Sequence, residues 1–204
     1  MIQTIFGSPV VILKSNDIEQ LFQHEIHEVM MDHLMSPGNK FVNHPYTRGG
    51  KICTTDLHLT MDRDKIDQLQ PLLNYLKQTS LKYSHLFTDN PVKDLKFDNC
   101  WMNLTFEGCE IRNHYDKFES TDFKSLIILF YPKAPEGGSN LVFIHDSEYG
   151  DWASDCAEKD MVKIEIEEGH IIIFDNSILH AIDTHKSTEP KLCIAAEFKL
   201  DTLT

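Results

Sequence analysis

The chain has 204 residues, of which 41% are hydrophobic and 25% charged, and its 19 basic and 32 acidic side chains leave a formal net charge of −13. That length and apolar content suit one domain with a sizeable core. The acidic balance disfavours a nucleic-acid partner, because neutralising phosphates takes clustered Lys and Arg, and no apolar run approaches the roughly 18 residues of a membrane span.

The opening TIFGSPVVILK is rich in β-branched residues and reads as strand. It also lacks the basic start and long apolar middle of a secretory signal, so no targeting address is expected. In SNDIEQLFQHEIHEVMMDHLM a capping residue precedes apolar positions at helical spacing (Ile18, Leu21, Phe22, Ile26, Val29, Met30 and Leu34), which predicts an amphipathic helix. His24 and His27 stand three apart there, so HEIHE is not the HExxH of a zinc protease. SPGNKFVNHPYTRGGK is dense in Pro, Gly and Asn and reads as a loop. A second helical region follows from about Asp62 to Phe87, with Pro71 expected to divide it. Helices are expected to dominate the first half.

From Leu95 onward the period changes. FDNCWMNLTF, SLIILFY, NLVFIH, MVKIEI, HIIIFD and KLCIAAEF are short, rich in β-branched and aromatic residues, and divided by turn signals such as PEGGS and EEGH. SLIILFY and HIIIF are apolar on both faces, which requires a filled interior on one side and a cover of helices or a second sheet on the other. A jelly roll backed by the N-terminal helices meets that requirement. The expectation is therefore one α+β domain over 1–204, with a mainly helical support region over 1–94 and a jelly-roll core over 95–204. The connection HDSEYGDWASDCAEKD, residues 145–160, carries six acidic residues with Tyr149 and Trp152, and reads either as a solvated loop or as a lid over a site. Five cysteines, at 53, 100, 109, 156 and 193, form no CxxC pair, which suits free thiols in a reducing compartment and predicts a cytoplasmic protein.

Within EIRNHYDKFES, His114 and Asp116 stand at i and i+2, so an extended chain projects both from one face. Taken alone they also fit a surface pair at a strand end. Downstream, EEGHIIIFDNSILHAI supplies a Gly169 turn, a buried strand and a short bend that delivers His180 at the start of the next extended piece. Two histidines and one carboxylate from separated β segments match the facial donor set of non-haem Fe(II) oxygenases; the same donors accept Mn, Co, Ni or Zn. Eleven positions beyond His180, Lys191 opens KLCIAAEF. Alternation sends Lys191, Cys193 and Ala195 to one face and Leu192, Ile194, Ala196 and Phe198 to the other. If the second face packs on helices, Lys191 points inward, where a buried ammonium calls for an anion: a ligand's carboxylate, or one of the chain's own acidic side chains. His44, His58, His85, His145, His170 and His185 form no pattern and read as ordinary core or surface, and GxSxG, P-loop and GxGxxG motifs are absent.

These segments resemble the Fe(II)/2-oxoglutarate-dependent dioxygenases, particularly the prolyl-hydroxylase-like branch. The likeness rests on HYD after a strand and the Gly108 turn, on SLIILFYPKAPEGGSNLVF as strand, Gly-Gly turn and strand, on EEGHIIIFDNSILHAI around the second histidine, and on KLCIAAEF as closing strand, over about residues 97–199. It implies a double-stranded β-helix, cupin-like core with His114, Asp116 and His180 as iron ligands. It further implies 2-oxoglutarate as cosubstrate, anchored by Lys191, and O2 as oxidant. Asn103 would then hydrogen-bond the cosubstrate or serve a strand kink. Arg112, in phase with His114 and Asp116, would help hold the cosubstrate, contact the substrate, or face solvent. The chain departs from the family's usual arginine, often followed two residues later by Ser or Thr, in having Lys191 and Cys193; a lysine is a point charge without the guanidinium fork. The implied reaction hydroxylates a small molecule or peptide and releases succinate and CO2. A non-catalytic jelly-roll binding module with a structural or vestigial metal is the alternative, and a cupin-type metal enzyme without cosubstrate, for which Lys191 would be dispensable, is a third.

Overall fold

The computed structural model describes residues 1–15, 42–43, 47–48, 52–56, 63–116, 124–145 and 160–202. The helix expected over Ile18 to Leu34, with His24 and His27, the loop His44 and His58, and the 146–159 part of the acidic connection lie outside the described residues. The strands are β1 (Ile2–Ile5), β2 (Ser8–Lys14), β3 (Val42–Asn43), β4 (Thr47–Arg48), β5 (Ile52–Asp56), β6 (Val92–Thr105), β7 (Glu110–His114), β8 (Ser125–Lys133), β9 (Leu141–Ile144), β10 (Met161–Ile164), β11 (His170–Asp175), β12 (His180–Ile182) and β13 (Lys191–Thr202). The described helix α1 (Arg63–Tyr83) precedes β6 and ends in a 3-10 turn, Ser84–Leu86.

Two antiparallel sheets result: a large one in the order β1-β2-β11-β8-β13-β6-β5-β3, and a smaller one in the order β10-β9-β12-β7-β4. Neighbours such as β11–β8 and β12–β7 are far apart in sequence, the interleaving of a double-sheet jelly roll. The doubly apolar strands explain the layering. In β8, Leu126, Ile128 and Phe130 pack with Leu69, Leu72 and Leu76 of α1, while Ile127, Leu129 and Tyr131 face the small sheet beside Ile111, Phe143 and Ile182. β13 divides the same way, with Ile194, Ala196 and Phe198 toward the helix and Cys193 and Ala195 toward the small sheet.

One expectation changes. Pro71 lies inside α1 and does not divide it. Its ring is on the exposed side, and Leu69, Leu72, Leu73 and Leu76 bury one continuous stripe across it, which outweighs the missing hydrogen bond. The described residues of the first 94 also contribute strands that the sequence did not announce as part of the sheets: β1, β2, β3 and β5 join the large sheet, and β4 the small one. The first hairpin forms because Phe6 and Gly7, both at positive φ (49° and 84°), make the two-residue loop that pairs Ile5 with Ser8. β2 then pairs with β11 and extends the sheet that the sequence placed in the second half. Among the described residues no helix is long and apolar enough to cross a membrane.

Candidate active site

The site lies in a cleft between the two sheets, about 420 Å³ of empty space that opens to solvent. Strand alternation builds its walls. Trp101, Asn103 and Thr105 come from β6, Leu129 and Tyr131 from β8, and Lys191 and Cys193 from β13, while Ile111 and His114 of β7, Asp116, and His180 and Ile182 of β12 close the other side.

β7 is not a regular strand. His114 is opposite His180 and Ile111 is opposite Ile182, so three steps on β7 match two on β12, a bulge. The extra residue turns both Ile111 and His114 to the cleft and breaks the alternation that would have put Arg112 in phase with His114. Arg112 does not line the cleft; its carbonyl accepts a hydrogen bond from His114 Nδ1 at 2.8 Å. His180 is set by the bend before β12, where Ser177 N donates to Asp175 Oδ1 at 2.8 Å and Ile178 N donates to the Asp175 carbonyl at 3.1 Å. Its Nδ1 donates to the Ile178 carbonyl at 3.0 Å, and Phe174 meets the ring edge-on with centroids 5.0 Å apart.

Both imidazoles thus spend Nδ1–H on a backbone carbonyl two residues back, which leaves the Nε2 lone pair as the ligating atom. Both Nε2 atoms face Asp116: His114 Nε2 is 3.9 Å from Oδ1, His180 Nε2 is 3.4 Å from Oδ2, and the rings lie 4.3 Å apart. The donor atoms of His114, Asp116 and His180 all fall within 4.8 Å of one another, the spacing of one shared ion. Burial drives the His180 pKa down to about 4, so its imidazole is neutral near pH 7. Burial also raises Asp116, against the pull of His114. Asp116 Oδ2 is buried without a hydrogen-bond donor among the described residues, an arrangement that a cation would relieve.

Lys191 is 2% exposed and points inward, as strand parity required. Its Nζ donates to the Ser139 carbonyl at 3.0 Å and stands 5.5 Å from the centre of the Tyr131 ring. Among the described residues no carboxylate forms an ion pair with it, so the acidic side-chain partner weighed from sequence is not found there. Burial lowers its pKa to about 8. Asn103 lines the cleft opposite Cys193 in the β6–β13 register. Cys193 brings a thiol to the cleft wall, and burial holds it up at about 12.

Tyr131 escaped the sequence reading because it ends a run of apolar strand residues. It is fully buried, lines the cleft near Lys191, and its hydroxyl neighbours the Cys193 thiol, a weak hydrogen-bonding group. Burial raises its phenol well above the usual range, so it remains a donor. The signal available in SLIILFY was an aromatic residue with a polar tip facing the same way as Ile127 and Leu129.

No family sequence model matches the chain, and no curated protein matches it in sequence. Solved structures do match it in fold. An oxidoreductase of the 2OG-Fe(II) oxygenase family from Burkholderia pseudomallei superposes with TM-score 0.62 and 12% identity, over 95% of this chain and 85% of that one. A prolyl-4-hydroxylase from Pseudomonas putida gives TM-score 0.54 and 16% identity, over 94% and 92%. A prolyl hydroxylase from Trichoplax adhaerens, in complex with a hypoxia inducible factor oxygen degradation domain peptide fragment, gives 0.61 and 14%, over 94% and 83%. The chain has the fold that these oxygenases share.

Proposed function

We propose that the protein is a 2-oxoglutarate- and Fe(II)-dependent dioxygenase in which His114, Asp116 and His180 hold the metal and Lys191 anchors the cosubstrate. One observation carries this reading: two Nε2 atoms and a buried carboxylate group with an oxygen lacking a donor among the described residues converge within 4.8 Å on the wall of a cleft. The donor set fits Fe(II), since two neutral imidazoles and one carboxylate partly balance a dication and leave the remaining positions for ligands. Bound there with 2-oxoglutarate, Fe(II) supplies the oxidation: O2 is consumed, 2-oxoglutarate leaves as succinate and CO2, and a substrate C–H becomes C–OH.

The chain's own residues do the placing. The Arg112 and Ile178 carbonyls fix the two imidazoles so that both keep the ligating tautomer. Lys191 has three N–H donors, one of them given to Ser139, and the other two are available to the distal carboxylate of the cosubstrate. The Tyr131 hydroxyl is a second donor to that carboxylate, which compensates for the guanidinium fork that Lys191 lacks. Asn103 is placed to bond the cosubstrate from β6, and Trp101, Leu129 and Ile182 keep water from the reacting carbon. The substrate we infer is a small molecule or a peptide; the Trichoplax neighbour's peptide complex supports the second. Three described cysteines, 100, 109 and 193, are free thiols, which supports a reducing compartment.

The test is 2-oxoglutarate turnover. With Fe(II) and O2 the wild type should form succinate even without its substrate, slowly, and His114→Ala or Asp116→Ala should reduce that to background. Succinate formation at the wild-type rate in either variant removes the assignment, and a metal-bound wild type that never turns over points to the binding module.

A further inference from the structure

His185, on the connection between β12 and β13, is fully buried yet belongs neither to the metal-facing group nor to the cleft wall. Its backbone is clamped to the turn before β7: Gly108 N donates to its carbonyl and its own N donates to the Cys109 carbonyl, each at 2.8 Å. The ring is fixed as well. Nε2–H donates to the Glu189 carbonyl at 2.8 Å, so Nδ1 is the acceptor, and it receives the Ser139 N–H at 3.1 Å. Burial pushes this imidazole below its usual pKa, which keeps Nδ1 unprotonated. The approach is possible only beside a glycine, since a Cβ on Gly138 would sit 3.1 and 3.3 Å from the His185 ring and 2.9 Å from the Pro135 carbonyl.

The next peptide group completes the arrangement. Asn140 N donates to Asp183 Oδ1 at 2.6 Å, and the carbonyl of that same peptide, Ser139 C=O, receives Lys191 Nζ at 3.0 Å. Ser139 is thus held from both sides by residues of one connection, and its carbonyl is the fixed point on which the ammonium rests. An arginine would carry its own planar geometry to a carboxylate, whereas the three donors of a lysine rotate freely until something outside orients them.

We propose that His185 is a positioning residue for cosubstrate binding: by fixing Ser139 it holds one N–H of Lys191 on the Ser139 carbonyl and aims the other two at a dicarboxylate. This rests on the reading of Lys191 as anchor. The ligand class it serves is a 2-oxo acid with a second carboxylate, and the residue is indifferent to the 2-oxo acid end.

The experiment compares two ligands by calorimetry on the Zn(II)-loaded protein: 2-oxoglutarate, and 2-oxovalerate, which has a methyl where the distal carboxylate would be. Wild type should bind 2-oxoglutarate the more tightly. His185→Phe should weaken 2-oxoglutarate by about tenfold or more, in the range of lost outer-shell support, and leave 2-oxovalerate unchanged. His185→Asn, whose Oδ1 replaces Nδ1 as acceptor, should recover most of the loss. Equal weakening of both ligands in His185→Phe, or of neither, overturns the proposal. A wild type that fails to distinguish the two ligands removes the anchor reading itself, and the positioning role with it. If His185→Phe does not fold, ring 15N shifts of the Zn(II)-loaded wild type decide: the His185 Nδ1 signal should move with 2-oxoglutarate and not with 2-oxovalerate, and equal movement overturns the proposal.

Discussion

Tyr131 and Lys191 hold polar groups in a buried wall at a cost to stability, and each gives a separable prediction. The Tyr131 hydroxyl has the Cys193 thiol as its neighbour, a weak partner, whereas a typical hydrogen bond contributes about 0.5–1.5 kcal/mol. Tyr131→Phe should therefore change the stability of the ligand-free protein by no more than about 1 kcal/mol in a urea titration while weakening 2-oxoglutarate binding by about tenfold. An unchanged affinity would mean that the hydroxyl does not reach the cosubstrate. For Lys191 the folded pKa of about 8 lies below the unfolded value near 10.5. Between those values the unfolded chain binds more protons, so this group's contribution to stability rises with pH across that window and is flat below it. Lys191→Met should flatten the rise, by on the order of 2 kcal/mol between pH 7.5 and 10, read from paired urea midpoints. The inward direction of Lys191 was legible in the sequence because parity on a strand needs only the neighbours Leu192, Ile194 and Phe198. The proposed roles of Tyr131 and His185 were not: one was hidden in an apolar run, and the other would act only through Ser139, 46 residues away in sequence.

The strands carry the site and α1 carries the strands. Leu72 and Leu76 fill the outer face of the large sheet, on the side away from the cleft, so Leu72→Ala should cost about 2–5 kcal/mol of stability with no change in 2-oxoglutarate affinity once the protein is folded. A matching loss of affinity would show that the two layers are coupled. The strands themselves were legible from β-branched runs and turn signals, and their double burial from apolar residues on both faces. A bulge was not, because nothing in EIRNH marks an inserted residue, and Ile111 joins His114 on the cleft wall where simple alternation offered Arg112. Pro71 misled for a related reason: local propensity argues for a break, while the leucine stripe on either side is stabilised only once the sheet is present to receive it.

Across the whole molecule the two sheets would contribute different halves of the proposed site. The small sheet and the turn after β7 supply His114, Asp116 and His180, and the large sheet supplies Lys191, Tyr131 and Asn103. A metal and a dicarboxylate bound together would therefore bridge the sheets, and 2-oxoglutarate at 100 times its dissociation constant should raise global stability of the metal-loaded protein by about 2.7 kcal/mol. The hairpin β1–β2 joins this assembly from the far end of the chain, a long-range pairing that the opening residues specify only as strand. The most direct test of the central claim is an anaerobic spectrum of the protein with Fe(II) and 2-oxoglutarate. The account predicts a weak visible charge-transfer band that saturates at one equivalent of each and is absent in Asp116→Ala and His180→Ala. A wild type that binds Fe(II) without developing the band, or an Asp116→Ala variant that keeps it, would contradict the account.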